Sequence, residues 1–300
     1  MWHGVYPAAT TQFDADMSVN IDATLKVQTA LVDDGVDGLV LLGTVGENNS
    51  LLPEEKRAIV KASVEALGNR VPIITGVSEL STDRAVQYAR DAEALGVTAL
   101  MVLPAMVYVP TADELFAHFK AVAEATSLPI MLYNNPPAYR VSIGFDTLDR
   151  LAEIPNIVAI KESAPDSRRF TDVINRYGDR FTLMAGLDDV ALEGLLLGAT
   201  GWISGLTSAF PPESVALIEA FERGDLEEAR AIYRWFMPLL HLDADPDLVQ
   251  AIKLSEQVMG RGSERVRMPR LPLTGQRRAD VIAMVEKCAA TRPTLRAEAA

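Results

Sequence analysis

The residues best suited to chemistry in this chain are a lysine, a tyrosine and a threonine, each at the end of a short apolar run. Lys161 closes the run Ile157-Val158-Ala159-Ile160 and is followed by a break at Pro165 and a helical pattern from Ser167. A strand of that composition has no use for an ammonium inside a core, so Lys161 is expected where a buried strand opens into a pocket. There desolvation favours the neutral amine, which can attack a ketone carbon and form an imine that withdraws electrons from neighbouring bonds. The structural alternative is a strand-end lysine in a surface ion pair. Tyr133 offers either a phenol that carries a proton to and from a carbinolamine or an aromatic ring in packing, and its position leaves both open. Thr44 lies in Gly43-Thr44-Val45-Gly46-Glu47-Asn48, where glycines let backbone amides approach a small anion such as the carboxylate of a 2-oxo acid, and its hydroxyl could orient or relay a proton.

These residues need elements that bring them together. Short apolar strands are expected at 5–10, 38–42, 71–76, 99–103, 129–133, 157–161, 181–185 and 201–204, each mostly apolar as in parallel strands buried on both faces. Helical patterns fall between them at 22–34, 53–67, 82–95, 112–126, 146–152, 168–177, 188–197 and 212–223, with caps at Ser81 and Pro53 and glycines after the last apolar positions. Eight β-α units are the arithmetic of an α/β fold of the (β/α)8 TIM-barrel type. A doubly wound sheet is the rival, but Thr10-Thr11-Gln12-Phe13-Asp14 lacks the Gly-rich phosphate loop such a sheet carries after its first strand. Residues 1–224 form the barrel on this reading, and 225–300 a C-terminal helical annex of the same domain, with helices at 226–240, 248–260 and 277–289 and a frayed end at 291–300. In a barrel the chemistry sits at the C-terminal ends of the strands, which selects Thr44, Tyr133, Lys161, Gly186 and Ile203-Ser204 and directs them at one pocket mouth.

Composition narrows the function classes. With 300 residues, 49% hydrophobic and 23% charged, the chain can bury a large core without disulfide or metal. A net charge of -13 repels a phosphate backbone, so no nucleic-acid partner is expected. No apolar run reaches the ~20 residues that span a bilayer, and the first residues lack a secretory pattern, so no membrane association is expected and the cytoplasm is the expected location. The single Cys288, among alanines, reads as packing in a reducing compartment. His3, His118 and His241 are too scattered to ligate a metal, and no metal or other cofactor is expected.

Four motifs in order, Gly43-Thr44-Val45-Gly46-Glu47, Tyr133-Asn134-Asn135-Pro136, Ile160-Lys161-Glu162 and Gly198-Ala199 through Gly201, Ile203 and Ser204, resemble the dihydrodipicolinate synthase/N-acetylneuraminate lyase family. The resemblance covers nearly the whole chain. It implies a TIM barrel that acts on pyruvate or another 2-oxo acid, with Lys161 as the imine lysine, Tyr133 as acid/base and Thr44 as relay, usually as a homotetramer. Val45, Gly46, Gly186 and Ile203 would lie near the 2-oxo acid.

The departures from that pattern direct the substrate reading. Val45 stands where the synthases carry a second threonine, and Ala138 where they carry the arginine that receives a second carboxylate. Arg140 follows two residues later and is a candidate replacement; Tyr108 lies near, and one position off, the place of a relay tyrosine. The Asn134-Asn135-Pro136-Pro137 stretch and the tail from Trp235 to Asp243, with Lys253 beyond, most resemble the branch of the family in hydroxyproline breakdown. That implies deamination of 1-pyrroline-4-hydroxy-2-carboxylate to 2,5-dioxopentanoate and ammonia, a substrate with one carboxylate. The alternatives are an aldolase or dehydratase of 4-hydroxy-2-oxoglutarate or a 2-keto-3-deoxy sugar acid, then dihydrodipicolinate synthesis, and, outside catalysis, a silent 2-oxo acid binding protein. Specificity depends on which of Arg140, Tyr139, Ser208 and the Val107-Tyr108 loop reaches the pocket. His118 is expected to be a partly exposed helix residue, Glu162 to point away from the barrel axis, Glu47 to give structural support, and Asp188-Asp189 to serve a helix dipole.

Overall fold

The computed structural model describes residues 2–105 and 108–295. The chain runs β1 (Gly4–Pro7), α1 (Ile21–Asp33), β2 (Leu39–Leu41), α2 (Pro53–Leu67), β3 (Ile73–Val77), α3 (Thr82–Ala94), β4 (Ala99–Val102), α4 (Ala112–Glu124), β5 (Ile130–Asn134), α5 (Pro136–Tyr139), α6 (Phe145–Ala152), β6 (Ile157–Glu162), α7 (Arg168–Tyr177), β7 (Thr182–Ala185), α8 (Ala191–Leu196), β8 (Gly201–Ser204) and α9 (Pro211–Glu222). Three further helices follow: α10 (Leu226–Leu240), α11 (Leu248–Val258) and α12 (Gly275–Ala290). All eight strands pair in parallel in the order β1-β8-β7-β6-β5-β4-β3-β2. A parallel bridge between Ala8 and Val40, with Ala9 N donating to Val40 O at 2.9 Å, brings the two ends together and nearly closes the (β/α)8 barrel.

The strand period of two sorts side chains into two apolar layers. Tyr6, Val40, Ile74, Met101, Met131, Ala159, Met184 and Ile203 fill the barrel interior, whereas Val5, Leu39, Leu41, Leu100, Leu132, Ile160 and Leu183 face the surrounding helices. This is why the strands read as unbroken apolar runs: both of their faces are dry.

The helices begin where capping chemistry places them. Thr111 and Glu114 form a capping box at α4, with Thr111 N donating to Glu114 at 2.7 Å. Three expectations shift. The helix expected from Asp188 starts as a 3-10 turn, Asp188–Val190, and becomes α-helical only at Ala191, because the Asp188 side chain turns inward instead of capping. The short α5 is additional; Asn135 caps it by accepting the Ala138 amide at 3.1 Å, and Pro136 and Pro137 occupy its first turn. His118 is buried, its Nδ1 3.1 Å from Thr82 Oγ1, rather than partly exposed. Of the expected frayed end, 296–300 lies outside the described residues, as does Val107 of the pocket-loop expectation; Arg292 pairs with buried Glu213 at 2.9 Å.

One buried ion pair couples the C-terminal helices to the barrel mouth. Lys253 of α11 is fully buried and donates to Glu47 Oε1 at 2.8 Å and to Thr11 O at 2.7 Å. The other oxygen of Glu47 accepts the Arg267 amide at 2.9 Å. Glu47 adopts a left-handed backbone, φ 56, which disfavours a side chain, so these contacts explain why a glutamate stands there. Beside it, burial pushes Glu256 up to about 7 while Thr10 and Gln12 donate to it. Glu47 thus supports the Gly43–Asn48 segment from within its own chain. Removing one partner strands a buried charge, which typically costs about 3–5 kcal/mol. Lys253→Ala is therefore expected to lower the free energy of unfolding by that order in chemical denaturation, and an unchanged midpoint and slope would refute the assignment.

Candidate active site

Strand β6 pairs with β5 so that Lys161 lies opposite Tyr133 and Glu162 opposite Asn134. Ala159 points into the barrel, so the period of two sends Lys161 inward and Glu162 outward. Glu162 is held there by Arg169 Nε at 2.6 Å, Asn134 Nδ2 at 2.7 Å and the Ala164 amide at 2.8 Å, as the alternation predicts.

Lys161 is only 5% exposed, and its Nζ makes no hydrogen bond or ion pair among the described residues. It stands 4.1 Å from the centre of the Tyr133 ring. Burial pushes its pKa below the ordinary lysine value, against the pull of the Asp243 carboxylate and of Tyr139. An amine so placed can shed its proton and act as a nucleophile. The room for its stem comes from Gly186: a Cβ there would lie 2.6 Å from Lys161 Cγ and 2.3 Å from Ser163 Oγ.

Three hydroxyls surround the amine. Burial pushes the Tyr133 phenol up to about 12, and its oxygen accepts from Asn135 Nδ2 at 3.0 Å, so it rests protonated. Tyr139, at the end of α5, packs edge-on against Tyr133 with ring centres 5.5 Å apart, and its hydroxyl bonds directly to Thr44 Oγ1. Burial and the neighbouring Tyr133 raise the Tyr139 pKa as well. A proton can therefore move among Tyr133, Tyr139 and Thr44 beside the amine. Sequence reasoning named Tyr139 only as a possible specificity residue; the Asn135-Pro136 helix start was the signal that this segment folds back over the pocket.

A narrow cavity of about 30 Å³ is walled by Lys161, Tyr133, Thr44, Val45, Ala138 and Asp243. It shares its Thr44, Ala138 and Asp243 walls with an outer cavity of about 440 Å³ that Tyr139 and Arg270 also line. The amides of Thr44 and Val45 have no protein acceptor among the described residues, which leaves donors for a carboxylate at the inner cavity.

Several expected residues lie elsewhere. Gly46 is not on the cavity wall; its carbonyl accepts Thr11 Oγ1 at 2.8 Å and closes the loop. Ile203 is fully buried in the barrel interior and lines neither cavity. Arg140 is exposed, turned out by the left-handed backbone that ends α5, and lines neither cavity. Tyr108 is exposed with its hydroxyl on Glu114 at 2.9 Å, and Ser208 is buried away from the cavities. Asp188 serves no helix dipole; its carboxylate accepts Trp202 Nε1 at 3.0 Å, Ser204 Oγ at 3.1 Å and the Leu206 amide at 2.9 Å, locking β7 to β8. Asp243, which sequence reasoning quoted only within a tail motif, reaches the cavity from the C-terminal end of α10. Among the described residues no helix is long and apolar enough to cross a membrane.

The chain matches the Dihydrodipicolinate synthetase family over residues 1–288. It is 35% identical over 272 residues to 4-hydroxy-tetrahydrodipicolinate synthase 1 of Halalkalibacterium halodurans, covering 91% of this chain and 92% of that protein. It is 34% identical over 289 residues to 4-hydroxy-tetrahydrodipicolinate synthase of Moorella thermoacetica, covering 95% and 98%. Among solved structures, dihydrodipicolinate synthase DapA-2 of Bacillus anthracis superposes with a TM-score of 0.91 at 30% identity, over 98% of this chain and 99% of that one. YagE of E. coli K12, a prophage protein of the dihydrodipicolinic acid synthase family solved in complex with pyruvate, superposes with a TM-score of 0.91 at 26% identity, over 96% and 99%. With sequence and barrel matched from end to end, the protein belongs to the dihydrodipicolinate synthetase family and is a class I lyase, one that works through a lysine Schiff base.

Proposed function

We propose that the protein is a 1-pyrroline-4-hydroxy-2-carboxylate deaminase working through an imine at Lys161. The observation that carries this reading is the inner cavity, where an unpaired buried amine meets Tyr133 and the Thr44 that bonds to Tyr139, and where Ala138 stands without a second cationic receptor. A substrate with one carboxylate suits that set of charges, its carboxylate resting on the free amides of Thr44 and Val45 and its ring extending into the adjoining outer cavity.

The chemistry follows from those groups. Neutral Lys161 adds to C2 of the ring; the C2–N ring bond then breaks as the ring nitrogen takes a proton, leaving an imine at Lys161 and an amine on C5. Tyr133 supplies and recovers these protons through Tyr139 and Thr44. The imine acidifies C3, the C4 hydroxyl leaves as water, and the double bond migrates toward C5. Hydrolysis at C5 releases ammonia, and hydrolysis at C2 frees Lys161. One water is consumed overall, and the products are 2,5-dioxopentanoate and ammonia.

A second reading keeps the imine and changes the partner: aldol cleavage or dehydration of 4-hydroxy-2-oxoglutarate or a 2-keto-3-deoxy sugar acid, or the synthase activity after which the relatives are named. Arg270 on the outer cavity favours it, because a guanidinium there can receive a distal carboxylate. The expected biological setting is a cytoplasmic homotetramer under either reading.

Incubation with 1-pyrroline-4-hydroxy-2-carboxylate is expected to release ammonia, and borohydride to fix an adduct on Lys161 that Lys161→Ala lacks, read by peptide mass. A pyruvate adduct with no ammonia from the pyrroline would move the assignment to the second reading. Tyr139→Phe is expected to lower kcat about 10²-fold with little change in KM, since it removes a proton path and no carboxylate contact; a purely packing role would leave kcat near the wild-type value in steady-state assays.

A further inference from the structure

Among the described residues, Asp243 is the one carboxylate that lines both the inner cavity with Lys161 and the outer cavity beyond it. It is delivered by the 3-10 turn His241–Asp243 after α10, not by a barrel strand. Its approach depends on Gly205, where a Cβ would lie 2.7 Å from Asp243 Oδ1. The contacts that hold the carboxylate are sparse. Oδ2 accepts the Asp188 amide at a long 3.4 Å, and no ion pair engages either oxygen among the described residues. By contrast, the neighbouring Asp188 has both oxygens occupied by Trp202, Ser204 and Leu206 and is committed to structure.

The proposed reaction requires an acid that the hydroxyl relay does not supply. Tyr133, Tyr139 and Thr44 cluster around the amine, where C2 of the substrate must sit. The hydroxyl to be expelled is on C4, two bonds further along, toward the outer cavity.

We propose that Asp243 is a catalytic residue that protonates the departing C4 hydroxyl of a 4-hydroxy cyclic imino acid. In this step the enamine nitrogen at Lys161 pushes its electron pair through C2–C3 to form the C3–C4 double bond. The C4–O bond breaks with its pair on oxygen, and the Asp243 proton completes a water molecule. Asp243 is left as a carboxylate facing the regenerated iminium, a favourable pairing in a site of low polarity. It regains its proton from C5 as the double bond migrates. Burial, with the Lys161 charge opposing it, pushes the Asp243 carboxyl up to about 6, so the protonated form is a minor but accessible state near neutral pH and grows as pH falls.

This inference rests on the deaminase reading, and the test separates the two. Asp243→Asn, Asp243→Glu and the wild type are each given 1-pyrroline-4-hydroxy-2-carboxylate, with ammonia release measured and borohydride adducts on Lys161 weighed; pyruvate trapping on the same samples reports a folded pocket. Asp243→Asn is expected to lose about 10²–10⁴-fold in ammonia release, the usual worth of a positioned acid, while its trapped adduct retains the C4 hydroxyl and is heavier by one water than the dehydrated adduct. Asp243→Glu is expected to recover part of the loss. Ammonia release by Asp243→Asn at the wild-type rate overturns the assignment of Asp243 and leaves the deaminase reading standing. Loss of the pyruvate adduct in both variants overturns it too, since Asp243 would then be needed by the amine or the fold. A wild type that neither releases ammonia nor traps the pyrroline sinks the deaminase reading and this inference with it.

Discussion

Strand β6 must hold its register against β5, and the working parts of this protein depend on that constraint. Lys161 and Glu162 are adjacent in sequence and opposite in fate: one amine enters the barrel without a counter-ion, while one carboxylate leaves it to be paired by Arg169 and Asn134. A slip of one residue would exchange them, burying the carboxylate in the pocket and sending the amine to the helix layer. The outward network around Glu162 therefore acts as a register lock, because a buried carboxylate keeps its partners at considerable cost if displaced. The inward amine is then free to be dry and unpaired, the condition under which a lysine becomes a nucleophile.

The helices after the barrel are part of the mouth. Lys253 reaches from α11 to Glu47 and the Thr11 carbonyl, so the loop that presents Thr44 and the free amides is anchored from the far end of the chain. The turn after α10 carries Asp243 to the same mouth. A (β/α)8 barrel offers its strand ends to one face, and here that face is completed from outside the barrel repeat. Charge is distributed accordingly. The pocket combines one amine, one poorly held carboxylate and three hydroxyls, whereas the fully satisfied groups, Asp188, Glu162 and Glu47, are those that hold elements in place.

The barrel was legible in the sequence because parallel strands buried on both faces are written as short apolar runs, and because Gly and capping residues punctuate the helices between them. The strand-end rule also placed Thr44, Tyr133 and Lys161 together, which the geometry matches at the inner cavity. Ile203, which the same rule selected, packs in the dry barrel interior and lines neither cavity, and Arg140, the candidate replacement for a missing arginine, is exposed where a left-handed backbone ends α5. His118 and Asp188 were misjudged for a common reason: local pattern assigns a polar residue to solvent or a helix end, and only the packed structure reveals a buried partner such as Thr82 or Trp202.

What the sequence determined by itself is what local chemistry encodes: the eight-fold alternation, the family motifs, and an amine at a strand end with no polar neighbour on its own strand face. What the tertiary structure decided is which distant groups meet that amine. Lys253 and Glu47 are separated by 206 positions, and Thr44 and Tyr139 by 95. Such pairings leave no periodic trace, since they are selected by packing and by the requirement that buried polar groups find partners. The placement of Asp243 belongs to the same class: nothing in its flanking residues sets it apart from other acids in the tail, and only the packing of the annex against the barrel, with Gly205 leaving space, brings it to the cavity that holds the lysine.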